Sequence, residues 1–247
     1  MTRAPSAVAA VVGLSLAFAL MAPPPAVSTV AGGTDRRVDA SSLRPTMTAK
    51  LIPFTHRRKV QMARYSQRHY GERRFRLRGP KVIVEHYTDG PSMISAWWTM
   101  ANNTENLGES PGVCTHFIID KRGRIFRVVP LRLRCRHTIG LNQTAIGIEH
   151  VGTSDRDVMG RERQRRASYR LTLWLMARYG ITVRNVIGHG ESLQSPLRHE
   201  RYRSWRCMSH TDFSRRTMND YRKRMRHLAR TNGVRVGPRP AWVNPDC

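Results

Sequence analysis

Two parts of this chain end in residues that can bind a metal. Residues 183–187 are a short apolar run that stops at Gly188-His189, and His210-Thr211-Asp212 follows after a long loop. A histidine at a strand end and an aspartate beyond a loop can meet at one point, and a third ligand would let them hold zinc. His86 is a candidate partner. It ends the β-type run 81–87 just before Thr88-Asp89-Gly90-Pro91, which presents its imidazole at the rim of a sheet. Spacing alone leaves Asp212, His210 and Cys207 open as the third ligand, and Asp212 could equally cap the helix that follows.

A base is the other requirement of metal-assisted hydrolysis. Glu149 stands in the apolar strand sequence AIGIEH. A carboxylate there is either a buried group with a partner or a base whose pKa has been raised for use. The chain holds ten histidines, so most have no chemical role. His56, His69, His199 and His227 lie on basic helices or loops and read as surface or hydrogen-bonded residues. His116 and His137 lie beside strands, where they could line a cleft or sit satisfied in the core. Other motifs fail on inspection. His199-Glu200 is followed by Arg203 where a zincin helix needs histidine, and His189-Gly190-Glu191 has no PCxxC after it. GxSxG, the P-loop and the dinucleotide fingerprint are all missing.

The elements that would carry these residues follow from periodicity. A basic helix over 55–69, with Thr55 as N-cap and Gly71 as stop, is expected outside the catalytic core. Strand 81–87 is followed by a helix over 92–103 with Met93, Ala96, Trp97 and Met100 on one stripe. Residues 113–119 and 124–129 form a hairpin around Asp120-Lys121-Arg122-Gly123, and 145–151 is a buried-type strand. A helix over 161–179 ends at Gly180, strand 183–187 follows, and a last helix covers 214–230. The expected fold class is α/β, a single domain with a central mixed β-sheet flanked by helices. Ligands in such sheets bind where strands end, which is where His86, Glu149 and His189 fall.

Composition bounds the setting. The 247 residues carry 43 Lys+Arg against 17 Asp+Glu, a formal charge of +26, and all but five of the basic residues are arginine. Such a field concentrates polyanions, and nucleic acid, anionic lipid and acidic wall polymers all qualify. The N-terminus narrows this. Arg3, the uncharged apolar stretch 7–22 and the prolines after it have the pattern of a signal peptide, with small-residue cleavage sites at Thr29-Val30-Ala31 and Ala17-Phe18-Ala19 and an uncleaved N-terminal anchor as the rival reading. An exported protein is not expected to have nucleic acid as its main partner, and the apolar run is short for a transmembrane helix. Four cysteines suit an oxidising compartment. A Cys114–Cys135 bridge is favoured, and Cys207 could pair with Cys247 or stay free. The chain divides into a signal peptide (1–31), a linker and basic helix (32–78), the principal domain (79–230) and a tail (231–247), rich in Gly and Pro and expected along the surface. A monomer is expected.

Taken together, VIVEHYT, THFIIDKRGRIFRVVP, RHTIGLNQTAIGIEHVG and VIGHGES resemble, in this order, the zinc-dependent N-acetylmuramoyl-L-alanine amidases, the family shared with peptidoglycan recognition proteins and phage lysozyme-type amidases. The resemblance covers roughly 80–230. It implies that fold, Zn2+ held by His86, His189 and Asp212, and Glu149 as catalytic base. His210 stands where the family's Lys-Thr-Asp run carries lysine, and it would take over the lysine's role beside the oxyanion. His116, His137 and Asn142 would line the substrate groove. The implied function is that of a secreted, cell-wall enzyme cleaving the amide between N-acetylmuramic acid and L-alanine in peptidoglycan, with anionic wall polymers as further partners. A non-catalytic peptidoglycan-binding protein of the same fold is the alternative, and a basic polyanion-binding protein the third reading.

Overall fold

The computed structural model describes Met1 and residues 38–245. The chain divides after Asp35 into two compact units, and everything below belongs to the second, Arg36–Cys247. Apart from Met1, the expected signal peptide lies outside the described residues, as does Cys247.

Strand period decides which residues can meet. β2 (Val82–Tyr87) and β5 (Ala145–His150) are parallel and paired along their whole length, from Val82↔Ala145 to His86↔Glu149 and Tyr87↔His150. Successive side chains on a strand point to opposite faces, so His86 and Glu149 share one face while Glu85 and His150 share the other. β3 (Phe117–Ile119) and β4 (Ile125–Arg127) form the expected antiparallel hairpin, with Phe117↔Arg127 and Ile119↔Ile125. Asp120 closes its turn by accepting from the amides of Arg122 and Arg124. With β1 (Thr48–Ala49) and β6 (Val186–Gly188), the mixed sheet runs β1-β4-β3-β5-β2-β6.

One face of the sheet is covered by α4 (Glu162–Tyr179) and α5 (Arg215–Thr231). Ile83, Ile146, Ile148 and Phe117 meet Leu171, Trp174 and Leu175 of α4 and Met218 and Met225 of α5. Burying each such side chain contributes about 1.5–3 kcal/mol, which makes this the main core. On the opposite face α2 (Met93–Ala101) packs Ala96 and Met100 near Ile118 and the Cys114–Cys135 disulfide. Cys207 is also disulfide-bonded. Serine caps start three helices: Ser92 for α2, Ser154 for α3 (Asp155–Gly160) and Ser214 for α5. α4 ends at Gly180 with φ 66°, a left-handed conformation that suits glycine.

Four expectations are corrected. The basic helix α1 (His56–Tyr70) does not lie outside the core. Met62, Tyr65 and Tyr70 are buried with Trp205, and the buried Arg58 donates to the carbonyls of Met100, Gly112 and Val113. The segment read as linker before it joins the sheet through β1, with Lys50 N and Ile52 N continuing onto Arg127 O and Val128 O. Residues 183–185 are a 3-10 turn rather than strand, because Val183 N pairs with Val236 O of the tail instead of a sheet neighbour. The tail itself is not wholly at the surface, since Val234 enters the main core.

Candidate metal centre

The sheet ends its parallel strands at a cleft of about 510 Å³ whose lining includes His86, Glu149, His189, His210 and Asp212. His86 arrives on β2, and His189 follows directly on β6. Asp212 reaches them because its loop is pinned from three directions. Gly190 N donates to Asp212 O at 2.8 Å. A Cβ on Gly188 would collide with the Phe213 carbonyl, so glycine there allows the backbone approach. Asp155, at the start of α3, accepts from Phe213 N at 2.7 Å and Ser214 N at 2.8 Å. Ser214 caps α5, which leaves both Asp212 oxygens for the cleft and removes the capping reading of this aspartate.

The three side chains converge closely. His86 Nδ1 lies 3.1 Å from His189 Nδ1 and 3.1 Å from Asp212 Oδ2, and His189 Nδ1 lies 2.9 Å from Asp212 Oδ1. Tetrahedral zinc with bonds of about 2.0–2.1 Å needs ligand atoms about 3.3 Å apart, so two imidazoles and a carboxylate at this spacing fit the ion. Of the alternatives for the third ligand, Asp212 is the one grouped with both histidines. His210 stands beside the trio. Its ring stacks on His189 with centroids 4.6 Å apart, its Nδ1 contacts Asp212 Oδ1, and 62% of its side chain is exposed.

Electrostatics follow the packing. Burial pushes the Asp212 carboxyl up, but hydrogen bonds from His189, His210 and His86 outweigh it and hold the group well below the carboxylate range. Burial also opposes charge on His86, yet the bond and charge of Asp212 bring its pKa up on balance. His189 is lowered to about 4, first by burial and then by His86. His210 is raised, chiefly by its bond to Asp212. Burial lifts Glu149 to about 7, and its Oε2 has no hydrogen-bond partner among the described residues. A half-buried carboxylate without a partner, one strand spacing of about 4.8 Å from His86, is placed to exchange protons with whatever enters the cleft.

The residues expected to line the groove divide. His137 does line it. The donors present assign its neighbourhood: with His86 Nδ1 facing the trio, His86 Nε2–H points at Thr138 Oγ1 (3.2 Å), and the Thr138 hydroxyl donates to His137 Nδ1 (2.8 Å). Gly147 makes room for this ring, since a Cβ there would lie 2.8 Å from His137 Cγ. Asn142 reaches the cleft wall but is fully buried, with its amide spent on protein groups. His116 is a correction. Its Nε2 donates to Leu133 O, its Nδ1 accepts from Gly147 N, and burial lowers its pKa to about 4, so it ties β5 to the segment at Leu133 and does not line the cleft.

Several supporting residues escaped sequence reasoning. His150 donates from Nδ1 to the His86 carbonyl at 2.7 Å and takes a bond from Ser168 at Nε2, fixing the His86 backbone from behind. Glu191 accepts from Gly188 N and forms a two-point pair with the buried Arg222, at 2.6 and 2.9 Å. Alternation in AIGIEH could have flagged His150 as the inward neighbour of an outward Glu149. The Arg222 pairing had no local signal, because its partner lies 31 residues away.

Residues 76–205 match the family described as N-acetylmuramoyl-L-alanine amidase. Among solved structures, the chain is similar to the endolysin N-acetylmuramoyl-L-alanine amidase LysCS from Clostridium intestinale URNW, at 27% identity, covering 47% of this chain and 73% of that one with a TM-score of 0.40. It is similar to the amidase LysC from the same organism at 23% identity, covering 62% and 87%, TM-score 0.46. It is also similar to AmiD from E. coli, solved with anhydro-N-acetylmuramic acid-L-Ala-D-gamma-Glu-L-Lys, at 25% identity, covering 47% and 50%, TM-score 0.38. No curated protein matches the chain.

Proposed function

Because this chain belongs to the N-acetylmuramoyl-L-alanine amidase family, we propose that it is an exported, zinc-dependent enzyme that hydrolyses the amide joining the lactyl group of N-acetylmuramic acid to L-alanine in peptidoglycan. The observation that carries the reading is the convergence of His86, His189 and Asp212 beside an unpartnered Glu149.

His86, His189 and Asp212 would hold the ion. When bound, zinc supplies a Lewis acid that polarises the scissile carbonyl and lowers the pKa of water towards neutrality. Glu149 takes the proton of the attacking water and returns it to the departing amine. Burial raises its pKa in the metal-free protein, which favours taking up that proton. His210 is partly exposed at the cleft, its pKa is raised by its bond to Asp212, and it donates to the developing oxyanion. His137 lines the cleft beside His86 and would help to shape the groove around the substrate.

Two features support an extracellular, wall-facing setting. The Cys114–Cys135 disulfide suits an oxidising compartment. Part of the +26 charge faces outward, on exposed Arg163, Arg166 and Arg170 of α4 and Arg216, Arg224 and Arg230 of α5, which suits acidic wall polymers. No described helix is long and apolar enough to cross a membrane.

The test is release of new L-alanine amino ends from purified peptidoglycan, with zinc and with a chelator. Release that the chelator stops is expected. Tight peptidoglycan binding without release under zinc would instead establish the non-catalytic alternative. Export is tested separately, by N-terminal sequencing of protein recovered from outside the cell, with a start near residue 32 expected.

A further inference from the structure

We infer that helix α1, upstream of the family-matched segment 76–205, is part of the catalytic unit, because its tyrosines hold Asn142, and Asn142 sets the position of the pair that orients metal ligand His86. The inference rests on the zinc reading above and extends it to residues outside that segment.

The argument begins with the Asn142 amide. Its Oδ1 accepts from His137 N and Thr138 N, both at 2.8 Å. Backbone N–H groups only donate, so the oxygen must face them and the NH2 must face the other way. There it donates to Tyr70 Oη at 3.0 Å and Tyr65 Oη at 3.4 Å. Asn142 and Tyr65 have no exposed surface and Tyr70 is 6% exposed, so water cannot replace these partners in place.

The other end of the chain of contacts is the ligand. The backbone that Asn142 holds carries the Thr138 hydroxyl and the His137 ring, and both face His86 Nε2, at 3.2 and 3.1 Å. A metal-binding imidazole depends on such a partner at its far nitrogen for its tautomer and ring orientation. Tyr70 and Tyr65 therefore reach His86 in three steps: hydroxyl to amide, amide to backbone, and Thr138 hydroxyl to imidazole. α1 is fixed in this position independently. The buried Arg58 clamps its first turn to Met100 O, Gly112 O and Val113 O, with bonds of 2.6 to 3.2 Å. Those carbonyls belong to the wall of the same cleft, which Met100 and Val113 line.

The experiment uses the full chain and reads zinc affinity by competition with a chromophoric chelator, alongside kcat and KM. Tyr65→Phe/Tyr70→Phe removes two oxygen atoms and leaves the rings. Zinc affinity is expected to fall about tenfold or more, with kcat falling further than KM changes. Asn142→Leu is expected to do the same or worse. Asn142→Asp still accepts from both backbone amides and can accept from the rotated tyrosine hydroxyls, so it is expected to keep most of the affinity. Met62→Ala, in the same helix but outside the polar chain, is expected to lower the melting temperature and leave zinc affinity unchanged. If Asn142→Leu fails to fold, the double phenylalanine variant still decides. Wild-type zinc affinity in that folded variant overturns the inference alone, as does a loss in Met62→Ala equal to that of the double variant. A wild-type protein that binds no zinc overturns the metal reading and this inference with it.

Discussion

Replacing Glu149 with glutamine should stabilise the metal-free protein while removing its activity. The carboxyl is half-buried with one oxygen unpartnered, and burial moves its pKa from an ordinary 4.5 to about 7. An acid whose folded pKa is raised adds its full stability below the unfolded value, near 4.5, and loses it as pH rises through about 7. At about 1.4 kcal/mol per pKa unit, the wild type at pH 8 is less stable than at pH 4 by on the order of 3 kcal/mol through this residue. Glutamine has nearly the same shape and does not titrate. The gap between variant and wild type should therefore be under about 1 kcal/mol at pH 5 and approach 3 kcal/mol at pH 8. In a domain of this size the larger figure corresponds to a rise in Tm of roughly 6–12 °C. Glu85, raised to about 7 by its own burial, shapes both curves alike and cancels in the difference. Urea unfolding in the presence of a chelator at the two pH values measures the gap. With zinc restored, turnover on peptidoglycan should fall by about 10²–10⁴. An equal gap at pH 5 and pH 8 would refute the desolvation argument, and full turnover by Glu149→Gln would refute its role as base.

Three further outcomes are expected. Wild-type protein should gain about 4 kcal/mol of stability at zinc a thousandfold above its Kd, and His86→Ala or Asp212→Ala should show no zinc-dependent shift in a thermal melt. His210→Ala should bind zinc as the wild type does but lose about a hundredfold in kcat, the loss typical of a missing oxyanion donor, as read by metal analysis and steady-state kinetics on one sample. Arg222→Met leaves the buried Glu191 carboxylate with only the longer ion pair to Arg215, at 3.6 Å, and should cost about 3 kcal/mol in urea unfolding, part of which Arg222→Met/Glu191→Met should restore.

These predictions separate groups that act on substrate from groups that hold them. Glu149 and His210 touch the cleft directly, and changing them should leave the metal in place. Asn142, Tyr65, Tyr70 and His150 act through His86, so metal affinity is the quantity that should reveal them.

The amino-acid sequence by itself determined the local elements and the presence of the chemistry. Alternation in KVIVEHY and AIGIEH, the serine and glycine helix boundaries and the Asp120–Gly123 turn are encoded by neighbours, so strands, helices and hairpin fall within a few residues of where they were expected. The order of motifs also identified His86, His189, Asp212 and Glu149 as candidates. Periodicity could not tell Asp212 the ligand from Asp212 the cap. The cap contacts come from Asp155 and Ser214, which leaves the Asp212 carboxylate turned to the histidines, as the proposed ligand role requires. Nor could it show that His116 is consumed by backbone groups and Asn142 by tyrosines, or that a basic helix would bury Arg58 and Tyr65. Those outcomes depend on strand register and on which polar atoms lose water, and both are set by contacts between residues tens of positions apart, after the sheet has assembled.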